Sequence, residues 1–124
     1  MIATIAIIDD DDAVRDSTRM VLECNDYAVR EHASAEDFLS QPKDGVDCMV
    51  VDHHMPGMTG LALLERLQTD GHRIPALMMT GQPDISLEPR LTRLGVKVLH
   101  KPVDEKELLR SIEQARQKRA ISED

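Results

Sequence analysis

The sequence predicts an α/β fold in which a doubly wound parallel sheet carries helices on both of its faces. Short apolar runs without polar alternation recur along the chain, which is typical of parallel strands buried on both faces. Helical segments with recognisable ends lie between these runs, and this alternation is the βαβ pattern. We expect a single domain over residues 1–124, with a core at about residues 4–117 and a flexible, charged C-terminal tail from about Lys118.

The strands are predicted from their composition. Four short, mainly apolar runs without polar alternation lie at residues 4–8, 48–51, 76–79 and 96–99. A more mixed run at residues 27–31 is predicted to be a further strand at an edge of the sheet. The residues before the first strand, up to Ala3, are expected to be a loose end.

The first three helices are predicted from their ends. An apolar stripe after the aspartate run marks the first helix, at Val14, Val21 and Leu22. Ser34 with Asp37 resembles a capping box, which starts the second helix. Thr59 can cap the third helix, and Gly71 is its stop signal.

The start of the fourth helix is ambiguous in the sequence, whereas the fifth helix has a clear start signal. Pro89 would remove a hydrogen bond from the interior of a long fourth helix, but it suits the first turn of a short one. We therefore predict a short fourth helix over residues 88–94, preceded by a mobile stretch over residues 81–87. Asp104 with Glu107 resembles a second capping box, which starts the fifth helix.

Composition excludes several classes of function. The 23 acidic residues against 15 basic ones give a formal net charge of -8, so direct binding of nucleic acid is not expected. One Tyr, one Phe and no Trp leave no aromatic platform for stacking bases or sugars. No apolar run is long enough to span a membrane. We interpret Cys24 and Cys48 as buried, free thiols of a reducing compartment, and we predict a cytoplasmic protein.

Reactive side chains stand where the buried strands end. In open parallel sheets, ligands bind beyond the carboxyl ends of the strands. Four strand ends of this chain carry such groups, which are Asp9 to Asp12, Asp52, Thr80 and Lys101. We expect all of them at one rim of the sheet.

The carboxylates at this rim predict a metal site. Asp9 and Asp10 directly follow an apolar strand, where like charges are costly unless a cation joins them. A hard divalent ion with oxygen ligands meets that need, so Mg²⁺ is expected, and Mn²⁺ is expected to substitute for it. Asp11 and Asp12 are instead expected on the solvated start of a helix, which favours acidic residues.

Asp52 is the candidate nucleophile. Its carboxylate ends an apolar strand, where it would be poorly solvated without a metal or lysine partner. Beside a metal ion, a carboxylate can attack a phosphoryl group, because the metal neutralises the phosphoryl oxygens and a lysine stabilises the developing negative charge. Thr80 and Lys101 are expected to donate hydrogen bonds to the phosphoryl group.

Four ordered segments of the chain resemble the receiver domains of bacterial response regulators, which have a flavodoxin-like fold. The segments are IAIIDDDDAVR, VVDHHMPGMTG, ALMMTG and HKP, and the resemblance covers residues 5–115. It implies a five-stranded sheet in the order 2-1-3-4-5 with five helices. It also implies phosphorelay signalling in a two-component system, in which phosphorylation switches the conformation of the domain.

The resemblance assigns roles to individual residues. Asp52 would be the phospho-acceptor, Asp10 would contact Mg²⁺ directly, and Asp9 would contact it mainly through water. The backbone carbonyl of His54 would be a further metal ligand. The side chains of His54 and Gln82 stand at positions that tune the lifetime of the phosphoryl group in related receivers.

The remaining roles concern the phosphoryl group and its source. Thr80 would hydrogen-bond the phosphoryl oxygens, and Lys101 would form an ion pair with them before a cis peptide bond at Pro102. A sensor histidine kinase or a histidine phosphotransfer domain would be the phosphodonor, and an output domain or protein would respond. The chain would catalyse only its own phosphorylation and dephosphorylation, and weak homodimerisation is left open.

The chain departs from the family at three places, one of which is the adjacent pair His53-His54. Adjacent histidines generally point different ways, so this pair is not expected to form a two-imidazole metal site. Val98 stands where the family usually has Tyr or Phe, a ring that turns inward when the threonine moves toward the phosphate. The stretch between Thr80 and Lys101 is about one residue shorter than expected for the family. Signal relay through the fourth helix and fifth strand is therefore left open.

Two other functions stay open at this point. One is a receiver-like module that binds partners without being phosphorylated. The other is a Mg²⁺-dependent phosphohydrolase resembling the haloacid-dehalogenase family, because Asp9-x-Asp11 looks like its nucleophile motif, and Thr80 and Lys101 fit its next two motifs. Against it, Ala13 stands where that family ordinarily has Thr or Val, and no convincing acidic pair follows Lys101.

Overall fold

A computed structural model gives the fold and describes residues 2–81, 84 and 86–122, the last four of them by backbone alone. Within these residues, the strands are β1 (Thr4–Ile8), β2 (Ala28–His32), β3 (Cys48–Asp52), β4 (Ala76–Thr80) and β5 (Lys97–His100). The helices are α1 (Asp12–Cys24), α2 (Ala35–Ser40), α3 (Gly60–Thr69), α4 (Leu87–Arg93) and α5 (Glu105–Ser122). Strands and helices alternate along the chain, as the βαβ pattern predicts.

The strands form one parallel sheet in the order β2-β1-β3-β4-β5. This order confirms the predicted doubly wound fold. Strand β2 lies on one side of β1 and β3 on the other, so the strand order reverses between β1 and β3. Ligand sites of such sheets lie at this reversal, beyond the carboxyl ends of the strands.

The strand boundaries differ from the predicted ones by one residue. Strands β2 and β5 begin and end one residue later than predicted. Strands β3 and β4 extend one residue further, to Asp52 and Thr80, because pairing with the next strand continues to these polar residues. The two side chains are therefore held by the sheet itself.

Two apolar layers fill the space between the sheet and its helices. Alternate residues of a strand point to opposite faces. In β1, Ala6 and Ile8 pack with residues of α2, α3 and α4, while Ile5 and Ile7 pack with residues of α1 and α5. All four side chains are fully buried. This double burial explains why the strands are continuous apolar runs in the sequence.

Side-chain caps begin the second and fifth helices where the sequence predicts them. Ser34 Oγ accepts a hydrogen bond from the backbone N–H of Asp37 at 3.0 Å. Asp104 Oδ2 accepts one from the backbone N–H of Glu107 at 3.2 Å. The Asp37 carboxylate does not complete a capping box but pairs with Nδ1 of the buried His32 at 2.9 Å. The cap of α2 is thus tied to the end of β2.

Helix α3 follows the prediction and α4 nearly does. Thr59 Oγ1 caps α3, and Gly71 follows its end with a φ of 82°. Helix α4 begins and ends one residue earlier than predicted, with Pro89 in its first turn, where the missing N–H costs no helical hydrogen bond. Leu87, predicted to be mobile, is buried and begins this helix. Of the rest of that stretch, Gln82, Pro83 and Ile85 lie outside the described residues.

The chain termini and cysteines correct three expectations. Helix α5 continues to Ser122, past the predicted start of the tail at Lys118, because Gln, Lys, Arg and Ala are good helix formers. Ala3 is buried and its carbonyl accepts a hydrogen bond from Ala28, so it is not a loose end. Cys48 is buried and free, but Cys24, the last residue of α1, is exposed. None of the described helices is long and apolar enough to cross a membrane.

Candidate functional site

The parallel sheet brings the predicted reactive residues to one rim. Asp9 directly follows β1, Asp52 ends β3, Thr80 ends β4, and Lys101 directly follows β5. The backbone N–H of Lys101 donates to the carbonyl of Thr80 at 2.9 Å, which continues the pairing between β4 and β5 beyond the strands. Adjacent strands therefore fix the spacing of these four side chains.

Three carboxylates form an acidic cluster at this rim. Asp9, Asp10 and Asp52 each offer an oxygen atom, and these atoms all lie within 4.8 Å of one another. Asp9 is fully buried, Asp52 is 3% exposed, and Asp10 is exposed. Burial and the nearby charge of Asp52 raise the pKa of Asp9, although a hydrogen bond from the backbone of Asp11 partly opposes this rise.

Lys101 partly neutralises the acidic cluster. Its Nζ donates to Asp52 Oδ1 at 2.8 Å and lies 3.9 Å from Asp9 Oδ2. Partial burial lowers the pKa of Lys101, but the hydrogen bond and charge of Asp52, with the charge of Asp9, outweigh burial and raise it overall. Lys101 is therefore a cation at neutral pH, and one cation faces three carboxylates.

The acidic cluster fits a hard divalent cation. The buried Asp9 Oδ2 has no hydrogen-bond partner among the described residues, although a buried carboxylate oxygen ordinarily requires one. Asp52 Oδ1 is held by Lys101, and Asp10 faces solvent, through which an ion could enter. Oxygen ligands from carboxylates with solvent on one side are the environment that Mg²⁺ prefers. The carbonyl of His54 stays a prediction as a further ligand.

Two histidines follow Asp52 and approach the end of β4. Nε2 of the exposed His54 lies 3.3 Å from Oγ1 of the buried Thr80, at hydrogen-bonding distance. The His53 and His54 rings pack edge to face with their centroids 4.9 Å apart. Burial, with the neighbouring His54, lowers the pKa of His53. The side chain at the predicted tuning position therefore contacts Thr80, the residue predicted to donate a hydrogen bond to the phosphoryl oxygens.

Arg15 is a residue of the site that the sequence analysis missed. Its Nη1 donates to the backbone carbonyl of Asp9 at 2.7 Å. The same guanidinium pairs with Asp12 at 2.5 Å and with Glu31 of β2 at 3.4 Å. The Arg15 side chain therefore connects the loop after β1 to the first turn of α1 and to the edge strand β2. Asp12 and Arg15 are three residues apart on one helix face, and this spacing is the sequence signal that could have indicated their ion pair.

Gly60 is a second residue that sequence reasoning missed. A Cβ atom at this position would lie 2.6 Å from the carbonyl oxygen of Asp52 and 2.9 Å from Met78 Sδ. Its backbone N–H donates to the carbonyl of His53 at 3.2 Å. The start of α3 can approach Asp52 this closely only because residue 60 lacks a side chain.

The remaining aspartates of the acidic run have a capping role. Asp11 Oδ1 accepts hydrogen bonds from the backbone N–H groups of Ala13 at 2.9 Å and Val14 at 3.2 Å. Asp11 therefore starts α1 and is not part of the acidic cluster. The Asp9-x-Asp11 spacing does not bring two carboxylates to the cluster, which removes the main support for the phosphohydrolase.

Three further predicted positions have different outcomes. The peptide bond between Lys101 and Pro102 is cis, as predicted. Val98 is half-buried on β5 and packs against the apolar layer on the side of α2, α3 and α4. Gln82, the second tuning position, lies outside the described residues.

Comparisons with known proteins identify the family of this fold. The family model of the response regulator receiver domain matches residues 5–113. The transcriptional regulatory protein FixJ of Azorhizobium caulinodans is 40% identical over 96% of this chain. A CheY-like response regulator receiver domain protein from Methanospirillum hungatei has a TM-score of 0.89 at 27% identity, over 98% of this chain and 99% of the other. The FixJ-N crystal structure has a TM-score of 0.85 at 32% identity, over 94% and 95% of the two chains.

The chain belongs to the response regulator receiver domain family. Its function is that of a receiver in two-component phosphorelay signalling, and such domains generally signal rather than catalyse. The chain spans 61%, 55% and 56% of the length of three FixJ relatives.

Proposed function

We propose that Asp52 accepts a phosphoryl group with the help of Mg²⁺ held by Asp9, Asp10 and Asp52. The observation that carries this proposal is the acidic cluster, whose oxygen atoms lie within 4.8 Å of one another beside the Lys101 ammonium. A pocket with this excess of negative charge is stabilised by a divalent cation. Mn²⁺, which also suits carboxylate ligands, would substitute for Mg²⁺.

The chemical step uses the Asp52 carboxylate as nucleophile. When bound, Mg²⁺ supplies neutralisation of the phosphoryl oxygens. An Asp52 oxygen forms a bond to phosphorus, and the bond between phosphorus and the donor atom breaks. With a phosphohistidine donor, the electron pair leaves on the imidazole nitrogen, which takes up a proton. The ordered sheet end holds the carboxylate in position for this attack.

Lys101 and Thr80 stabilise the phosphorylated form in this proposal. Lys101 Nζ is 2.8 Å from Asp52 Oδ1. It would therefore be close enough to form an ion pair with an oxygen of a phosphoryl group attached to Asp52. The hydroxyl of Thr80, at the end of the neighbouring strand, would donate to a second oxygen. The His54 side chain, which contacts Thr80, would tune the lifetime of the adduct. The backbone carbonyl of His54 would complete the metal ligands.

The proposal extends to the partners of the domain. A sensor histidine kinase or a histidine phosphotransfer domain would supply the phosphoryl group, and the chain would catalyse only its own phosphorylation and dephosphorylation. Because FixJ relatives are transcriptional regulatory proteins by name, we propose an output domain or protein that acts on transcription. The receiver, with a net charge of -8, would not bind nucleic acid itself. Its free cysteines favour the cytoplasm.

The experiment is phosphorylation by acetyl phosphate and Mg²⁺, read by intact mass. We expect wild type and Asp70→Asn to gain one phosphoryl group, and Asp52→Asn to gain none. Asp70 is a matched control because its exposed carboxylate pairs with Arg66 on the surface. The adduct should be stable in acid and labile in base. No adduct should form when EDTA removes the metal before acetyl phosphate is added.

The result can also favour the alternative function. If wild type binds Mg²⁺ but forms no adduct with acetyl phosphate or with a phosphorylated histidine donor, the domain is a phosphorylation-independent interaction module. An adduct that persists in Asp52→Asn would refute Asp52 as the acceptor.

A further inference from the structure

A groove lies at the amino-terminal end of the strands, opposite to the end that carries the acidic cluster. It runs beneath the amino ends of β4 and β5, between the ends of α3 and α4 on one side and α5 on the other. Two adjoining cavities, of about 570 Å³ and 280 Å³, share Ala76, Val96, Ala115 and Lys118 in their walls. The larger volume is within the range of pockets that hold small organic ligands.

The floor of the groove is apolar. Leu64 and Leu67 of α3 and Ile74 before β4 form one wall of the larger cavity, and Leu94 and Val96 form the other. Leu64 and Leu67 belong to the buried layer beneath the groove, so this wall is fixed by the core. A hydrocarbon chain or ring placed here would remove apolar surface from water.

Among the described residues that line the groove, the charged side chains at its rim are all basic. Arg73, Lys97 and Lys118 line the two cavities, and among their lining residues no Asp or Glu occurs. This is unusual for a chain with 23 acidic residues and 15 basic ones. Arg73 and Lys97 are exposed at the mouth, where the stems of such side chains can lie along a ligand and the charged ends can reach its anionic group.

A buried hydroxyl lies in the wall of the groove. Ser111 of α5 lines the smaller cavity and is 1% exposed. Its Oγ has no hydrogen-bond partner among the described residues. Because this oxygen has almost no accessible surface, it is a polar point within the wall and not a contact of the ligand.

We propose that this groove binds a small amphipathic organic anion, with an aromatic or alkyl body and one carboxylate or sulfonate group. The apolar walls take the body, and the exposed cations Arg73 and Lys97 take the anionic group. Binding of this anion does not depend on Asp52, because Asp52 lies at the carboxyl ends of the strands and the groove lies at their amino ends. The proposal is therefore independent of the phosphorylation proposed above.

The test uses 8-anilinonaphthalene-1-sulfonate as the probe. Its neutral counterpart is N-phenyl-1-naphthylamine, and sodium sulfate tests the anionic group alone. Fluorescence titration gives the affinity, and ¹H–¹⁵N spectra of the labelled protein give the location. We expect saturable binding of the sulfonate with shifts at residues 71–76 and 94–97, weaker binding of the neutral amine, and no comparable shifts with sulfate.

Charge variants decide whether the rim recognises the anion. Arg73→Gln and Lys97→Gln should each weaken sulfonate binding about two- to fivefold, as expected for one exposed ion pair, and leave binding of the neutral amine unchanged. Arg66→Gln is the matched control, because Arg66 carries the same charge on α3 but is not among the lining residues. Asp52→Asn should bind the probe as wild type does.

A steric variant tests the groove separately. Ala115→Met places a larger side chain in the wall that both cavities share and should abolish binding. If that variant does not fold, the charge variants alone decide. Equal affinity for the sulfonate and the neutral amine, unchanged affinity in both rim variants, or shifts confined to other surfaces would each overturn the proposal.

Discussion

Replacing Asp9 by asparagine is expected to stabilise the metal-free protein. The Asp9 carboxylate is fully buried, and its Oδ2 has no hydrogen-bond partner among the described residues. Lys101 is 3.9 Å from it and bonds Asp52 instead. An asparagine would keep the oxygen that accepts from the Asp11 N–H and would remove one of three clustered negative charges. Its amide group could also donate to the neighbouring carboxylates.

The magnitude follows from the buried Asp9 oxygen that has no hydrogen-bond partner among the described residues. Leaving a buried polar group without a partner costs about 1–3 kcal/mol, and one pKa unit corresponds to about 1.4 kcal/mol. We therefore expect Asp9→Asn to raise the free energy of unfolding by about 1–3 kcal/mol at pH 7 in EDTA. Urea denaturation followed by circular dichroism measures this difference.

The pH dependence has a definite sign. The pKa of Asp9 is raised in the folded state above its ordinary value of 3.8, mainly by burial. Ionisation of Asp9 therefore favours the unfolded state, and the stability associated with its neutral form is lost as the pH rises through the folded-state pKa. The advantage of Asp9→Asn should be largest at neutral pH and should shrink as the pH falls toward 3.8.

Metal binding should reduce the stability advantage of Asp9→Asn. Mg²⁺ at 100 times its dissociation constant would stabilise the wild type by about 2.7 kcal/mol, and the variant should gain less. Asp70→Asn, which removes an exposed carboxylate, should change the unfolding free energy by no more than about 0.5 kcal/mol. A variant less stable than wild type in EDTA, or a gain that persists unchanged at acidic pH, would refute this account of the cluster.

Three further predictions concern packing and a tyrosine. Gly60→Ala should lower the free energy of unfolding by about 1–3 kcal/mol in urea denaturation, because the new Cβ would meet the Asp52 carbonyl at 2.6 Å. Phe38→Ala should lower it by about 3–5 kcal/mol, since Phe38 is 1% exposed and belongs to the layer beneath α2 and α3; a loss below 1 kcal/mol would contradict this packing. Tyr27, the single tyrosine, should ionise near pH 12 in an ultraviolet titration, because burial and a hydrogen bond to Glu113 raise its pKa to about 12. Glu113→Gln should lower that midpoint toward 10, and an unchanged midpoint would assign the rise to burial alone.

The sequence predicts the strand ends well because their position follows from a simple rule. An apolar run long enough for a buried strand, followed at once by a polar residue, is sufficient to place Asp9, Asp52 and Thr80 at one rim. The strand order is not contained in those runs, and it came from the resemblance to a family. The structure confirms both the fold and that order.

The missed features depend on distances between segments. Arg15 reaches back to the carbonyl of Asp9 only once α1 has a direction relative to β1. The need for a glycine at residue 60 appears only when α3 starts against the end of β3. Cys24 was expected to be buried because cysteine usually is, but the end of α1 faces solvent. Such errors arise where local pattern says nothing about which neighbour a side chain meets.

The hydrogen bond from Arg15 to the carbonyl of Asp9 couples the conformation of the loop after β1 to the start of α1. The carbonyl of Asp9 is held by a side chain of α1, and α1 in turn begins at Asp11 through its bonds to Ala13 and Val14. Helix ends open and close far more often than a whole domain unfolds. Each such opening releases the loop that carries Asp9. Hydrogen exchange at the Ala13 and Val14 amides thus reports how often the loop loses its native geometry.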